Sequence, residues 1–341
     1  MNRNLSDISN LLRKNLTIGR SYNALKVLGS YYISKWLKKP VHWGKPISIS
    51  IEPTTSCNLR CPQCPSGLRS FSRPTGMLSL PVFQQAINEL HRTTGYVTLY
   101  FQGEPYLNTQ FLDMVSYANR HRMYTATSTN AHYLTPANAE KTVESGLDRL
   151  IISIDGTTQD TYGKYRIGGT IEKVLEGTKN LVEAKRRLKA STPHIIWQFI
   201  VFGHNEHQLD EVKRLAKTFK VDELAIKSAQ IYDYETGSDL IPSQGKYSRY
   251  KKSDEHFAIK NKLQNHCWRL WNSCVITWDG KVVPCCFDKD GTYRLGSLEE
   301  HSFAEVWKNA AYHKFREQIL KGRQYIDICK NCSEGTSVWK N

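Results

Sequence analysis

The sequence predicts an α/β protein built on a parallel sheet with helical crossovers, and three observations predict it. Between Pro46 and Ile231, short β-rich runs alternate with runs of helical period. Prolines stand where helices begin and not inside them. Each of the first four strand runs ends in a loop of Cys, Gly, Asn, Asp or Ser residues, and the C-terminal ends of parallel strands are where such folds keep their chemistry. Strands are expected at residues 47–51, 97–101, 124–129, 149–154, 195–202 and 224–231, with helices starting near Pro81, Gln110, Pro136, Ile171 and Glu206. Pro81 and Pro136 fall in a first turn, whose amides lack intrahelical partners, and Thr135 is placed to cap its helix. Strand–helix alternation implies parallel pairing. Six strands are too few to close an eight-stranded barrel.

The 341 residues allow one large and one small domain, and 40% hydrophobic with 23% charged residues is an ordinary folded composition. No apolar run reaches the ~18 residues that span a bilayer. Residues 1–10 are polar with no apolar stretch behind them, so no signal peptide and a cytoplasmic location are expected. Nine cysteines in such a chain point to metal in a reducing compartment and not to disulfides.

The net charge is +15, unevenly spread: residues 1–45 hold nine basic residues against one acid, Asp7, a local excess of +8. Such a field attracts anionic surfaces or acidic substrates. We expect no nucleic-acid partner. The segment reads as two helices, since Leu5, Ile8, Leu11, Leu12 and Leu16, and then Leu25, Leu28, Tyr32 and Trp36, follow helical spacing. The favoured reading is a cap whose stripes pack on the body. Basic residues beside Tyr31, Tyr32 and Trp36 also suit an interfacial helix, so peripheral membrane contact is the alternative.

The loop after the first strand carries Cys57, Cys61 and Cys64 at C-x3-C-x2-C spacing. Three such thiolates each hold one iron of a [4Fe–4S] cubane, which wants four ligands. The next cysteine is Cys267, so one iron stays open, the mark of a catalytic metal site. A zinc knuckle wants a fourth Cys or His close by, and none occurs before His91.

This loop resembles the signature of the radical S-adenosylmethionine (SAM) superfamily. The resemblance implies a partial (β/α)6 TIM-type barrel, a SAM-binding [4Fe–4S] cluster on Cys57, Cys61 and Cys64, and S-adenosyl-L-methionine on the open iron. It further implies reductive cleavage of SAM to a 5′-deoxyadenosyl radical that takes hydrogen from a substrate C–H. Gln102-Gly103-Glu104-Pro105 resembles the family's G-G-E-P, implying that Gly103 and Glu104 hold the SAM amino group. Gln102 replaces a glycine, which leaves backbone approach there less free. Ser128-Thr129-Asn130 is similar to T-N-G, implying that Thr129 and Asn130 lie near the ribose. Ser153-Ile154-Asp155-Gly156 with Arg166-Ile167-Gly168-Gly169 resembles the S-x-D-G…R-x-G-G pattern of the SPASM/twitch branch. That pattern implies Ser153 and Arg166 at the ribose and carboxylate, a group a guanidinium fork suits. Taken alone, S-x-D-G is also a turn, with Gly156 supplying a positive φ.

Residues 232–266 are polar and read as a connecting segment. A second cysteine set follows, and Asp279-Gly280 predicts a hairpin that delivers Cys285 to a strand end. Cys267, Gly280-x4-Cys285, Gly296 to Trp307 and Cys329-x2-Cys332 resemble a shortened SPASM, or twitch, domain over residues 267–335. The resemblance implies an auxiliary [4Fe–4S] cluster on Cys267, Cys285, Cys329 and Cys332, as in aminocyclitol dehydrogenases. Tetrahedral zinc on the same cysteines is the alternative. Cys274 and Cys286 are left over, Cys286 reading as a buried thiol. The domains are therefore residues 1–45, the core at 46–231, the connection at 232–266 and the cluster domain at 267–335.

The activity implied is two-electron oxidation of a small alcohol or sugar-like metabolite. The auxiliary cluster would accept an electron, and flavodoxin or ferredoxin would be the reductant. One alternative is modification of a ribosomally made peptide or protein by thioether, carbon–carbon or epimer formation. The N-terminal segment is too short and too helical for the leader-binding wing such maturases often carry, though a separate protein could serve. A non-enzymatic iron–sulfur protein is the third reading. No motif names the substrate.

Overall fold

A single nine-stranded sheet runs through the computed structural model, which describes residues 5–253 and 255–338. Residues 1–4 of the expected N-terminal segment lie outside the described residues. Strand β1 (Ser48–Ile51) pairs in parallel with β2 (Tyr96–Thr98). Then come β3 (Tyr124–Thr129), β4 (Arg149–Ser153), β5 (His194–Val201) and β6 (Glu223–Ser228), each parallel to the one before. These six strands with their crossovers form the expected partial barrel. Strand β2 ends three residues earlier than its composition suggests, because Tyr100 and Phe101 leave the ladder to line the cavity described below.

At the N-terminus stand α1 (Leu5–Asn15) and α2 (Ile18–Leu37). After β1 come the short α3 (Pro65–Leu68) and α4 (Leu80–Leu90), then α5 (Phe111–Arg120), α6 (Pro136–Glu144), α7 (Gln159–Tyr165), α8 (Ile171–Arg187) and α9 (Leu209–Thr218). Thr135 caps α6 as expected, its hydroxyl accepting from the Asn138 amide at 3.3 Å. Apolar faces of the crossover helices, such as Phe83 and Ile87 of α4 and Val174 and Leu181 of α8, join the buried strand residues in one core.

The segment between barrel and second cysteine set is not wholly irregular: β7 (Tyr250–Ser253) and β8 (His256–Ile259) form an antiparallel pair. After α10 (Arg269–Asn272), β9 (Ser273–Ile276) and β10 (Lys281–Val283) form the hairpin expected at Asp279-Gly280. They do not stand apart from the barrel. Strand β9 lies parallel to β1, Cys274 opposite Ile49, and β11 (Gly296–Ser297) completes the sheet in the order β11-β10-β9-β1-β2-β3-β4-β5-β6. Cys274 is thus a buried core thiol. Helices α11 (Phe303–Lys308), α12 (Ala310–Gly322) and α13 (Asp327–Lys330) close the chain.

The N-terminal helices cap the body as expected, but not with their apolar stripes: Leu5 and Leu12 of α1 and Leu16 after it are exposed, and α2 packs with a different face. Its buried residues are Arg20, Asn23, Val27, Ser30, Tyr31 and Ser34, while Leu25, Tyr32 and Trp36 face outward. The surface beneath explains this. Helices α4 and α5 end there with carbonyls that lack intrahelical donors. Arg20 supplies donors, bonding the carbonyls of His91 (2.7 Å), Arg122 (2.7 Å) and His121 (3.2 Å), a cation at two helix C-termini. Asn23 bonds the Lys45 and Thr93 carbonyls. Helix α1 is held by Asp7, bonded to Tyr124 and Arg149, and by Lys14 on Asp148 at 2.7 Å. All these contacts lie where the strands begin, at the end of the barrel opposite the cysteine loop.

Candidate active site

Every residue expected at the first site lines one cavity of about 210 Å³ at the C-terminal ends of β1 to β4: Cys57, Cys61 and Cys64, with Gly103, Glu104, Thr129, Asn130, Ser153 and Arg166. A larger cavity of about 600 Å³ lies elsewhere, by α5 and α6, and contains no thiol.

The loops interlock through their backbones. Gly103 has φ +74°, and a Cβ there would stand 2.3 Å from the Thr54 carbonyl oxygen and 2.7 Å from that of Ser56. Glycine is what lets the loop after β2 lie flush on the cysteine loop. The next amide, of Glu104, donates to the Ser56 carbonyl at 2.8 Å, and the Gly103 amide donates to Ser66 Oγ at 2.9 Å. Gln102, where a glycine was the family expectation, is buried with its side-chain oxygen 3.8 Å from Cys64 Sγ.

Glu104 is fully enclosed. Its Oε1 accepts from Thr129 Oγ1 (2.7 Å) and the Tyr106 amide (3.4 Å), and its Oε2 accepts from the Asn130 amide (2.8 Å). Thr129 and Asn130 therefore hold this carboxyl group in place. A carboxylate has about four acceptor sites, so one remains for a cationic ligand. Burial raises the group to about 7, against the hydrogen bonds that favour its charge. Asn130 Nδ2 also bonds Asn58 Oδ1 at 2.8 Å, beside Cys57.

Arg166 is held by Asp155, a residue of the quoted motif to which sequence reasoning assigned no role. The carboxylate Oδ2 takes Nε at 2.6 Å and Nη2 at 2.5 Å, while Oδ1 is fixed by the Ile200 amide at 2.8 Å. Nη1 is left pointing at Cys61 Sγ, 3.8 Å away. Gly156 has no positive φ, so it is not a turn glycine; a Cβ there would strike the Tyr162 amide nitrogen at 2.4 Å. Burial pushes the Cys57 thiol up to about 12 and raises that of Cys61, with Arg166 opposing the latter. A ligand that takes these thiols as thiolates must supply positive charge, as iron does.

Cys267, Cys285, Cys329 and Cys332 also converge. Charge on Cys267 and Cys332 acts on both Cys285 and Cys329. A Cβ on Gly335 would come within 2.6 Å of Cys267 Sγ. Sequence reasoning missed Arg323, which is buried among them. Its Nη2 donates to Cys332 Sγ at 3.1 Å and to the Glu334 carbonyl at 2.7 Å, and its Nε has no hydrogen-bond partner among the described residues. No spacing motif marks it. Among the described residues no three Cys, His, Asp or Glu side chains are placed to hold a single metal ion. Cys286, just past the end of β10, is exposed and not buried.

Tyr100 lines the first cavity, and its phenol is raised chiefly by burial, the charge of Cys286 adding to the rise and that of Arg269 opposing it.

Residues 51–223 match the sequence pattern of the radical SAM superfamily. The chain belongs to the radical SAM superfamily. Residues 267–333 match SPASM, the iron–sulfur cluster-binding domain. Among curated proteins, the chain is 28% identical to the tungsten-containing aldehyde ferredoxin oxidoreductase cofactor-modifying protein of Pyrococcus furiosus, covering 84% of this chain and 86% of that one. It is 27% identical to the mycofactocin maturase MftC of Mycobacterium tuberculosis, covering 84% and 75%. The fold is similar to Streptococcus suis SuiB bound to S-adenosylmethionine, with TM-score 0.63, 13% identity, and coverage of 97% of this chain and 82% of that one.

As a radical SAM enzyme with a SPASM domain, the protein takes a [4Fe–4S] cluster with SAM, and an auxiliary iron–sulfur cluster. Its residues fit both groups. The first cavity combines three thiols with a buried carboxyl group, and the second site places a buried guanidinium, one nitrogen unpartnered, among four thiols. The second family pattern decides for iron–sulfur over zinc there. Among the described residues no helix is long and apolar enough to cross a membrane.

Proposed function

We propose that this enzyme oxidises a C–H group of a small alcohol or sugar-like metabolite by two electrons. In this reading Cys57, Cys61 and Cys64 hold the SAM-binding cluster. Glu104 accepts from the SAM ammonium, with Thr129 and Asn130 keeping its carboxyl group in line. Ser153 and Arg166 face the ribose and carboxylate, Asp155 fixing the guanidinium. Cys267, Cys285, Cys329 and Cys332 hold the auxiliary cluster, and Arg323 offsets the negative charge of their thiolates. When bound, the first cluster supplies the electron that cleaves SAM to the hydrogen-abstracting radical, and the auxiliary cluster takes up an electron from the substrate.

The observation that carries this reading is the presence of two thiol sets, Cys57, Cys61 and Cys64 lining one cavity with Tyr100, and the charge of Cys286, next to Cys285, acting on the Tyr100 phenol. The cavity is small, about 210 Å³, which suits a small metabolite better than a peptide. The N-terminal helices lie at the far end of the barrel, away from the mouth, so they offer no leader-binding wing there.

Peptide modification is the second reading, favoured by one observation. Two grooves of about 480 and 370 Å³ share Tyr232, Phe287 and Ile328, making an extended channel from α3 to α13 that a peptide would fill. MftC is named a maturase, and SuiB has been seen bound to its precursor peptide SuiA.

The test is anaerobic turnover with panels of sugar alcohols and aminocyclitols, and separately of peptides. We expect a metabolite to raise 5′-deoxyadenosine output and to yield a product lighter by two hydrogens. In Cys329→Ala/Cys332→Ala, 5′-deoxyadenosine should still form while that product fails. A mass-neutral product, or unchanged product yield in the double variant, refutes the oxidation.

A further inference from the structure

Helix α2 is amphipathic with its faces exchanged. Arg20 and Asn23 hydrogen-bond the body, while Ser30 and Ser34 are buried beside Val27 and Tyr31 with their hydroxyls on carbonyls of the helix itself and of Val41. The large apolar side chains point the other way. Ile18, Tyr22, Leu25, Tyr32 and Trp36 are 92, 60, 67, 49 and 81% exposed. Steps of four, three, seven and four residues put all five on one stripe of the helix. Leu16 just before the helix and Trp43 just after it are exposed as well. A stripe of this kind is rarely left to water on a folded protein.

The charge around the stripe has one sign. Lys26 Nζ lies 4.3 Å over the Tyr22 ring, and Lys35, Lys38 and Lys39 are exposed at the Trp36 end. The sole acid in residues 5–45, Asp7, is buried and paired with Arg149. The outer face therefore carries no negative charge. A second copy of the chain would bring the same cations to the contact and be repelled. Phospholipid headgroups bring the opposite charge, an apolar layer beneath it, and the interfacial depth at which Trp and Tyr settle.

We propose that α2 docks this enzyme on an anionic membrane surface. The helix lies in the plane of the bilayer, its apolar stripe at the headgroup boundary and its lysines against phosphates. Because α2 covers the end where the strands begin, and the thiol cavity opens where they end, docking leaves the mouth facing away from the lipid. Substrate and reductant then arrive from the aqueous side.

The test is flotation of the full-length, cluster-loaded enzyme with vesicles of phosphatidylcholine alone or mixed with phosphatidylglycerol. The enzyme should float with the mixed vesicles, should not with the neutral ones, and should be released by salt. Lys35→Gln/Lys38→Gln/Lys39→Gln should lower partitioning on the order of a hundredfold, at roughly fivefold for each charge removed. Ile18→Ser/Leu25→Ser/Trp36→Ser should abolish it. All six positions are exposed, so both variants should keep the wild-type circular dichroism and SAM cleavage. Equal partitioning on neutral and anionic vesicles, or unaltered binding by either variant, overturns the proposal. So does a wild-type dimer, seen by light scattering, that the serine variant turns into monomer, because the stripe is then a protein interface.

Discussion

Gly103→Ala tests whether the interlock of two loops builds the SAM site. The backbone at Gly103 is left-handed (φ +74°), which costs a residue with a Cβ roughly 1–2 kcal/mol. The new methyl would also lie 2.3 Å from the Thr54 carbonyl oxygen, under the 3.0 Å that real Cβ contacts respect. Overpacking of that kind costs about 1–3 kcal/mol. Together the loss is about 2–5 kcal/mol. At about 2.1 cal/mol/K of unfolding entropy per residue, a chain of 341 residues should melt roughly 3–7 °C lower. Relief requires the cysteine loop to back away from the loop that carries Glu104, and a misplacement of ~1 Å costs on the order of a hundredfold in rate. Gly168→Ala is the control: its φ is +84°, but the nearest atom to a Cβ is 3.8 Å away, so it bears the backbone cost alone. The assays are thermal unfolding of the reconstituted protein and the rate of 5′-deoxyadenosine formation. If Gly103→Ala melts and cleaves SAM like Gly168→Ala, the close approach is not what holds the site together.

Two further predictions use other observables. Anaerobically reconstituted enzyme should bind about eight irons and Cys57→Ala/Cys61→Ala/Cys64→Ala about four, since each thiol set takes one cubane; stoichiometric zinc without visible absorbance would show that the second set is a zinc site. His42 lies against Trp307 and bonds the Trp271 carbonyl at 3.1 Å, and burial lowers it from 6.5 to about 3. A base depressed in this way contributes stability above its unfolded value that is lost as pH falls from 6.5 toward 3. The loss from pH 7 to pH 5 is about 2 kcal/mol, and His42→Gln should flatten that part of the stability–pH curve; an unchanged slope rules His42 out as its source.

The structure also changes how the N-terminal segment must be probed. Arg20 and Asn23 satisfy carbonyls of the barrel end, so deleting residues 1–45 would unsatisfy buried groups as well as remove charge. Point changes on the outer stripe separate the two effects.

The sequence by itself determined what depends on short-range order. Period and turn residues located the six barrel strands and their crossovers, because side-chain alternation is a local property of the chain. Ligand spacing located the first thiol set, since a metal centre selects residue type and separation directly, and resemblance to the SPASM pattern located the second. Pairings between residues far apart in sequence were decided only by the tertiary structure. That β9 continues the barrel sheet beside β1 depends on an edge more than 200 residues away, which no periodicity reports. The same holds for Glu104 held by Thr129 and Asn130, for Arg166 held by Asp155, and for Arg323 among the second thiols. A buried charge is placed by whichever partner can offset its desolvation, and that partner is chosen in space. Helix α2 makes the point most plainly. Its apolar stripe was legible in Leu25, Tyr32 and Trp36, but the direction it faces was set by the bare carbonyls at the ends of α4 and α5, which draw the polar face inward.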